Sequence, residues 1–182
     1  SGGESEYELG DPRTDEYLAS DRQALADSLG IATPPPVAPS RLLALDEWAP
    51  TLIECLRDAG FDARETPDGE GVAYPPIEDA ALRESLNLAI YTCEARYPVS
   101  PKYMEPLNHE QLTRLYSYRT RELIECLREE GFVVSEPPPS ETAFVESGGA
   151  WSPHAFLPVL DDADTRRVST ACPQVPRDLY DG

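Results

Sequence analysis

The stretch LIECLRDAGF at residues 52–61 recurs as LIECLREEGF at residues 123–132. The two copies differ only at two adjacent positions before the glycine. In both copies, apolar residues at helical spacing precede this glycine, and glycine is the residue type that most often ends a helix. The sequence therefore predicts the same element twice: a helix that ends at Gly60 or Gly131, followed by an extended segment that begins at a phenylalanine.

The first copy is predicted to form a helix, a β-hairpin and a second helix. After a helix that starts near Asp46, residues 61–66 and 72–74 have strand composition, and the PDGEG between them supplies glycines for a tight turn. The second helix covers IEDAALRESLNLAIYTCEARY and must end before Pro98, because the residue before a proline is disfavoured in helical conformation.

The second copy is predicted to follow the same order with a longer first helix and a wider hairpin loop. Its expected elements are a helix from Asn108 to Gly131, strands at residues 132–135, 142–145 and 150–151, and a shorter helix from Asp161 or Asp164 to Cys172.

The predicted fold class is α+β, with two tandem helix–β-hairpin–helix repeats at residues 41–103 and 104–182. Duplication followed by divergence explains the recurring pattern. A single copy would have a marginal hydrophobic core, and the segment YPVSPKYMEPLNHEQL that joins the copies is short and retains aromatic residues that a flexible linker would lack. We therefore expect the repeats to pack as one pseudo-symmetric domain.

The four cysteines fall as one pair in each repeat. No C-x-x-C motif is present and the chain has two histidines, so the pattern does not favour a metal site. Disulfides and an oxidising compartment are the better interpretation. Four cysteines allow three pairings. Their recurrence at corresponding positions favours Cys55 with Cys93 and Cys126 with Cys172.

The sequence before the repeats divides into two predicted parts. Residues 1–13 are acidic and poor in apolar side chains, which predicts a disordered tether. Residues 14–40 are predicted to form an amphipathic helix capped by Thr14, followed by a proline-rich linker, IATPPPVAPS, that acts as an extended spacer.

The charge of the chain excludes some classes of partner. It carries 34 acidic and 15 basic residues, a formal net charge of -19. A strongly acidic chain does not hold phosphate backbones or anionic headgroups through charge, which argues against nucleic acid as a partner. No apolar run reaches the roughly 18 residues that a spanning helix needs.

Residues with catalytic or metal-binding potential are few. His109 and His154 are the only histidines, and Ser152 lies too close to His154 in sequence to form a triad with it. The acidic segments at residues 67–71 and 160–167 do not match a calcium-binding loop, so a turn and a helix cap are favoured there. The sequence predicts no catalytic residue, no metal ligand and no cofactor.

A recognition surface remains as the functional feature that the sequence can offer. Tyrosine and tryptophan are enriched where proteins bind other molecules. Trp151 follows two glycines in the predicted second hairpin and lies near His154. We expect Trp151, with His154 beside it, to form an exposed binding anchor.

The motifs CLRDAGF and CLREEGF, each followed by a downstream cysteine and proline in an acidic chain that starts SGG, resemble secreted or lipid-anchored actinobacterial proteins of undefined function. The start SGGESEYELG is also similar to the tether that follows the lipidated cysteine of bacterial lipoproteins, which indicates an exported chain whose signal peptide has been removed. The resemblance implies an extracytoplasmic location and transfers only the four cysteines.

These observations favour a non-enzymatic extracytoplasmic binding or accessory module. Its expected partner is another envelope protein or membrane complex, with membrane contact only through a possible N-terminal lipid anchor. One alternative is an extracytoplasmic hydrolase that uses Asp or Glu residues in a cleft between the repeats. Another is an acidic protein that binds divalent cations.

Overall fold

The computed structural model describes residues 7–181, and these form two compact units. Unit 1 comprises residues up to 66 together with 70–105, and unit 2 comprises residues 67–69 together with those from 106 onward. The described chain is mostly helical, with one small antiparallel hairpin and two disulfides. The coarse prediction of helices combined with a minor β component is therefore confirmed.

The helices and strands are distributed unevenly between the units. Unit 1 contains α1 (Pro12–Leu29), α2 (Trp48–Asp58), β1 (Arg64–Glu65), β2 (Val72–Ala73) and α3 (Ala80–Arg96), with short 3-10 turns at Leu45–Glu47 and Pro101–Tyr103. Unit 2 contains α4 (His109–Ser117), α5 (Leu123–Glu129), α6 (Glu141–Glu146) and α7 (Asp162–Ala171), with a π-turn at Tyr118–Glu122 and a 3-10 turn at Pro153–Phe156.

The two copies of the repeated stretch end in the same way. In α2, the amide of Gly60 donates to the Arg57 carbonyl and that of Phe61 donates to the Leu56 carbonyl. The equivalent amides after α5, those of Gly131 and Phe132, make the equivalent bonds. Both glycines adopt positive φ, +93° and +96°, a conformation in which a side chain is strained. The predicted helix ends at these two glycines are confirmed.

Gly131→Ala is expected to lower the free energy of unfolding by about 1 kcal/mol. A Cβ at this position meets nothing within 4 Å, so the cost arises from the backbone conformation alone. Gly131→Asn is the matched control, because asparagine tolerates the left-handed region better than alanine. Chemical denaturation should rank glycine above asparagine and asparagine above alanine. Equal stability of all three proteins would contradict the argument.

Each copy contains the disulfide that its recurring cysteines predicted. Cys55 is bonded to Cys93, with Cα atoms 5.9 Å apart and a sequence separation of 38. Cys126 is bonded to Cys172, at 5.8 Å and a separation of 46 residues. The first disulfide joins α2 to α3 beside a core that contains Leu52, Ile53, Leu56, Leu86 and Ile90.

Helix α1 begins earlier than Thr14, the predicted cap. Asp11 caps the helix by accepting from the amide of Arg13, and Pro12 occupies the first helical position, where its missing N–H costs nothing. Thr14 is buried instead. Tyr7 donates a hydrogen bond to Glu105, so the predicted tether does not extend through residue 13. The part of the tether at residues 1–6 lies outside the described residues.

The proline-rich segment is packed rather than free. Its Val37 carbonyl accepts from Arg22 of α1 at 2.8 Å, and the Ser40 amide donates to the carbonyl of Arg96 at 2.7 Å. Leu43 then forms a parallel bridge opposite Val99: its amide donates to the Pro98 carbonyl and its carbonyl accepts from the Ser100 amide. The prediction of a spacer is therefore corrected. Residues 14–40 belong to unit 1, because backbone polar groups of the proline-rich segment bond to α1 and to the last residue of α3.

The predicted hairpin of the first copy forms, but that of the second does not. In the first, Arg64 pairs with Ala73 and Glu65 with Val72. In the described residues of unit 2 there is no strand, and residues 142–145, predicted as a strand, lie in α6. Ser140 caps α6 by accepting from the amide of Ala143, and Glu141 follows in the first turn. These local helix signals prevail over the strand composition.

Candidate functional site

A pocket of about 300 Å³ lies within unit 1. Its walls come from α1, from the first residue of α2, from the end of α3 and from the segment that follows α3. We call it the Glu94 pocket. The residues that give it its chemical character are Tyr17, Asp21, Trp48, Glu94, Tyr97 and Met104.

The packing of α1 on α3 forms the pocket. Ala26 of α1 is buried against Tyr91 and Ala95 of α3. The amide of Asn87 donates to the Leu29 carbonyl at 3.2 Å, which ties α3 to the end of α1. Tyr17 and Asp21 of α1 and Glu94 of α3 therefore line the same pocket.

Glu94 and Trp48 form the centre of the pocket. The indole N–H of Trp48 donates to Oε1 of Glu94 at 3.1 Å. Burial raises the pKa of the Glu94 carboxyl, and the nearby Asp21 carboxylate raises it further, while the bond from Trp48 opposes both effects. The protein thus holds a desolvated carboxylate against an aromatic ring.

Asp21 adds a second carboxylate to the same pocket. Its pKa is raised by burial, although the residue keeps substantial exposure to solvent. The pKa of Tyr74 is raised by burial and by the Glu94 charge, which places this phenol near Glu94 as well. Among the described residues, neither Asp21 nor Glu94 forms an ion pair with a basic side chain.

The raised pKa of Glu94 predicts how stability depends on pH. A carboxyl whose pKa is higher in the folded chain binds its proton more tightly there, so folding is favoured at low pH. That contribution is lost as the pH rises from the ordinary glutamate range through the raised pKa. We therefore expect Glu94→Gln to be more stable than the wild type at neutral pH, with the difference shrinking in acid.

Thermal unfolding at several pH values measures this difference. Glu84→Gln is the matched control, because Glu84 lies on the same helix and is exposed. Its effect should not follow the titration of Glu94. A wild-type advantage over Glu94→Gln that grows with pH would show that the Glu94 carboxylate is stabilised in the folded chain, contrary to the prediction.

A larger and more open groove of about 720 Å³ runs beside the Cys55–Cys93 disulfide. Its charged residues have mixed signs: Arg41, Glu54, Asp58 and Arg96. Arg41 is engaged with Glu47 at 2.6 Å. The groove therefore lacks the convergent chemistry of the Glu94 pocket.

The structure places the predicted binding anchor in unit 2. Trp151 is half-buried and packs against a cluster that includes Phe144 and Leu179. His154 is also half-buried, its Nε2 lies 2.8 Å from the carbonyl of Cys172, and burial lowers its pKa. His154 borders a cavity of about 260 Å³. Packing accounts for Trp151, so its role as an anchor stays a prediction.

The remaining candidate residues have structural roles. Ser152 accepts from the His154 amide and caps a short turn, while the imidazole Nε2 of His154 lies against the Cys172 carbonyl. His109 starts α4 and is exposed. Asp161 caps α7 by accepting from the Asp164 amide at 2.7 Å. Within residues 7–181 no group of three or more His, Cys, Asp or Glu side chains is arranged to hold a metal ion.

The two disulfides indicate an oxidising, extracytoplasmic environment, where such bonds persist. In the described part of the chain, none of the helices combines the length and apolarity that crossing a membrane requires. Lipid attachment would concern residues outside the described range.

Sequence reasoning did not identify Asp21, Trp48 and Glu94 as a site. Trp48 stands out as one of two tryptophans, but nothing local marks Glu94 among 34 acidic residues. Only the packing of α1 on α3 brings the three residues to one pocket.

No protein-family model, curated protein sequence or solved structure gives a significant match to this chain.

Proposed function

We propose that this chain is a non-enzymatic extracytoplasmic binding or accessory module and that the Glu94 pocket of unit 1 is its ligand site. The observation that carries the proposal is the Trp48–Glu94 pair, held at 3.1 Å in a pocket that three helices build. Ligand sites are typically concave, lined by apolar and aromatic side chains, and contain a few placed polar groups.

The energetics of Glu94 support a binding role. A carboxylate without a basic partner in a partly buried position costs stability. Such costs are commonly tolerated where a residue serves a function, because a ligand can offset them when it binds. Elsewhere in the described chain, carboxylates such as Glu122 and Asp178 are paired with an arginine on the surface.

A hydrolase is the second candidate, and the raised pKa of Glu94 is the observation that favours it. A glycosidase needs one carboxylic acid that stays protonated and a second carboxylate, and Glu94 and Asp21 lie in the same pocket. The binding role is preferred because the Trp48 indole N–H already occupies Oε1 of Glu94. This bond stabilises the ionised carboxylate rather than the acid.

The proposal extends to the cellular setting. We propose a location at the cell envelope, with another envelope protein or a membrane complex as partner and attachment through an N-terminal lipid. The two disulfides support an extracytoplasmic setting. The matching helix ends and matching disulfides likewise support a duplicated helical element in the two units.

The binding proposal can be tested by NMR of the full chain with intact disulfides. The indole N–H resonance of Trp48 is the reporter, and Trp151 supplies an internal reference in unit 2. The ligands are amines, saccharides and envelope-derived peptides. We expect a saturable shift of the Trp48 resonance with at least one class and no change of the ligand over time.

Release of product from chromogenic glycosides or peptides, abolished by Glu94→Gln, would instead establish the hydrolase. A Trp48 resonance that none of the classes moves would overturn the assignment of this pocket as a ligand site.

A further inference from the structure

We propose that the Glu94 pocket binds an alkylammonium group, the group that a lysine side chain or a quaternary amine carries. This inference rests on the proposed function, since it names the ligand class of the same pocket. Two features carry it: aromatic rings and carboxylates that line one small pocket, and the lack of a basic side chain paired with those carboxylates in the described chain.

The aromatic lining suits a cation with an apolar surface. Tyr17, Trp48 and Tyr97 come from three different helices or their ends and line the same space. An ammonium ion is attracted to the face of an aromatic ring, most strongly to tryptophan, and assemblies of such rings bind alkylated ammonium groups. The thioether of Met104 adds a soft, adaptable contact for the alkyl part.

The carboxylates suit the charge of the same ligand. Glu94 accepts one hydrogen bond, from Trp48, which leaves further acceptor capacity on its two oxygens. A primary ammonium group donates up to three hydrogen bonds, whereas a quaternary one donates none. Either would neutralise a carboxylate that the fold leaves without a cation. A metal ion fits less well, because metals prefer a denser set of oxygen ligands than two carboxylates provide.

The other charged groups around the pocket leave room for a ligand cation. Arg22 lines the pocket, but its guanidinium donates to the carbonyls of Leu18 and Val37. Arg41 lies 5.9 Å from the centre of the Tyr97 ring and pairs with Glu47. The other titratable side chains that line the pocket, Tyr17, Asp21 and Tyr97, carry no positive charge, and the Glu94 charge raises the pKa of the Tyr74 phenol.

The volume and the overall charge agree with this ligand class. A pocket of about 300 Å³ is at the small end of ligand sites and matches one side chain or a small amine rather than an oligosaccharide. The net charge of -19 would steer cationic groups toward the chain. A basic segment of an envelope protein is one source of such a group, and the quaternary amine of a lipid headgroup is another.

The test uses tryptophan fluorescence of the full-length Trp151→Phe variant, in which Trp48 is the only tryptophan left. The probes are tetramethylammonium and n-butylammonium chloride, against sodium chloride at equal ionic strength. Their neutral counterparts are tert-butanol and 1-butanol, and N-acetylglucosamine represents a saccharide. We expect saturation by the two ammonium ions, with dissociation constants on the order of 1 mM for such fragments, and no saturation by the neutral probes.

Glu94→Gln in the same background should weaken ammonium binding by about tenfold or more, whereas Glu84→Gln should leave it unchanged. Binding of the permanent cation tetramethylammonium should also weaken in acid as Glu94 and Asp21 become protonated, and this dependence should be smaller in Glu94→Gln, where Asp21 is the carboxylate that remains in the pocket. Nα-acetyl-lysine amide and phosphocholine then separate the two sources, a protein side chain and a lipid headgroup.

Saturation by N-acetylglucosamine, with no response to either ammonium ion, would overturn the ligand class and leave the binding function standing. Ammonium binding that Glu94→Gln does not weaken would also overturn the inference. A lack of response to every probe, together with an unmoved Trp48 resonance in the broader NMR screen, would remove both the inference and the proposed function of the pocket.

Discussion

Replacing Cys126 and Cys172 together by alanine is expected to lower the free energy of unfolding by about 4 kcal/mol. The disulfide closes a loop with a sequence separation of 46, and on the chain-entropy model a cross-link of this size removes that much freedom from the unfolded chain. Cys172 is also fully buried beside Leu127 and Val168, so truncation would leave a small void there.

We expect the loss of stability to be largest in the irregular part of unit 2. Between the two cysteines, residues 132–161 contain only α6 and a short turn as regular structure. Few backbone hydrogen bonds hold such a segment, so its order depends on the disulfide that closes the loop and on buried side chains such as Phe144. Hydrogen exchange should therefore increase there in the double-alanine variant.

Denaturant unfolding of the oxidised protein measures the effect, and the pair Cys55→Ala with Cys93→Ala is the matched comparison. Its loop has a sequence separation of 38, so the model predicts a loss of nearly the same size, about 4 kcal/mol. Replacing both cysteines of a pair avoids a free thiol. A loss below about 1 kcal/mol for either pair would show that its disulfide adds little beyond the existing core.

The features that sequence reasoning predicted well have local causes. The helix ends at Gly60 and Gly131 follow from one residue type after an apolar helical pattern. The disulfide pairing followed from the recurrence of cysteines at corresponding points of the two copies. Each of these inferences needed only a short stretch of sequence or a comparison of two stretches.

The features that were missed depend on contacts between distant residues. The proline-rich segment had the composition of a spacer, but its carbonyl at Val37 is fixed by Arg22. Glu94 acquires its character from Trp48 and Asp21, both more than 40 residues away in sequence. Two errors had a readable local signal. Asp11 followed by Pro12 starts α1, and Ser140 followed by Glu141 starts α6.

The π-turn between α4 and α5 is another feature that the periodic pattern could not predict. The sequence indicated one continuous helix from Asn108 to Gly131, and the chain does run from α4 through Tyr118–Glu122 into α5. The wider turn lies where two adjacent residues, Tyr118 and Arg119, are both buried. Such turns often occur where a side chain has a particular role. In this turn the residue concerned is Arg119.

Arg119 is a buried cation that holds two loops of unit 2 together. Its Nε donates to the carbonyl of Gln174 at 3.0 Å, and one terminal nitrogen donates to the carbonyls of Gly149 and Trp151 at 2.9 and 2.8 Å. Burial lowers its pKa, and within the described residues no carboxylate forms an ion pair with it. Backbone carbonyls therefore replace the water that the guanidinium loses.

Arg119→Ala is expected to lower the free energy of unfolding by about 3 kcal/mol, because three partly buried carbonyls lose a charged donor at once. Arg119→Lys keeps the charge but lacks the planar fork that reaches both loops, so it should lose about half as much. Arg121→Ala, two residues away and exposed, is the control and should change stability by less than about 0.5 kcal/mol. Denaturant unfolding with intact disulfides measures all three. If Arg119→Lys were as stable as the wild type, charge alone would account for the role of Arg119, and the proposed bridging of the loops at residues 149–151 and 174 would be wrong.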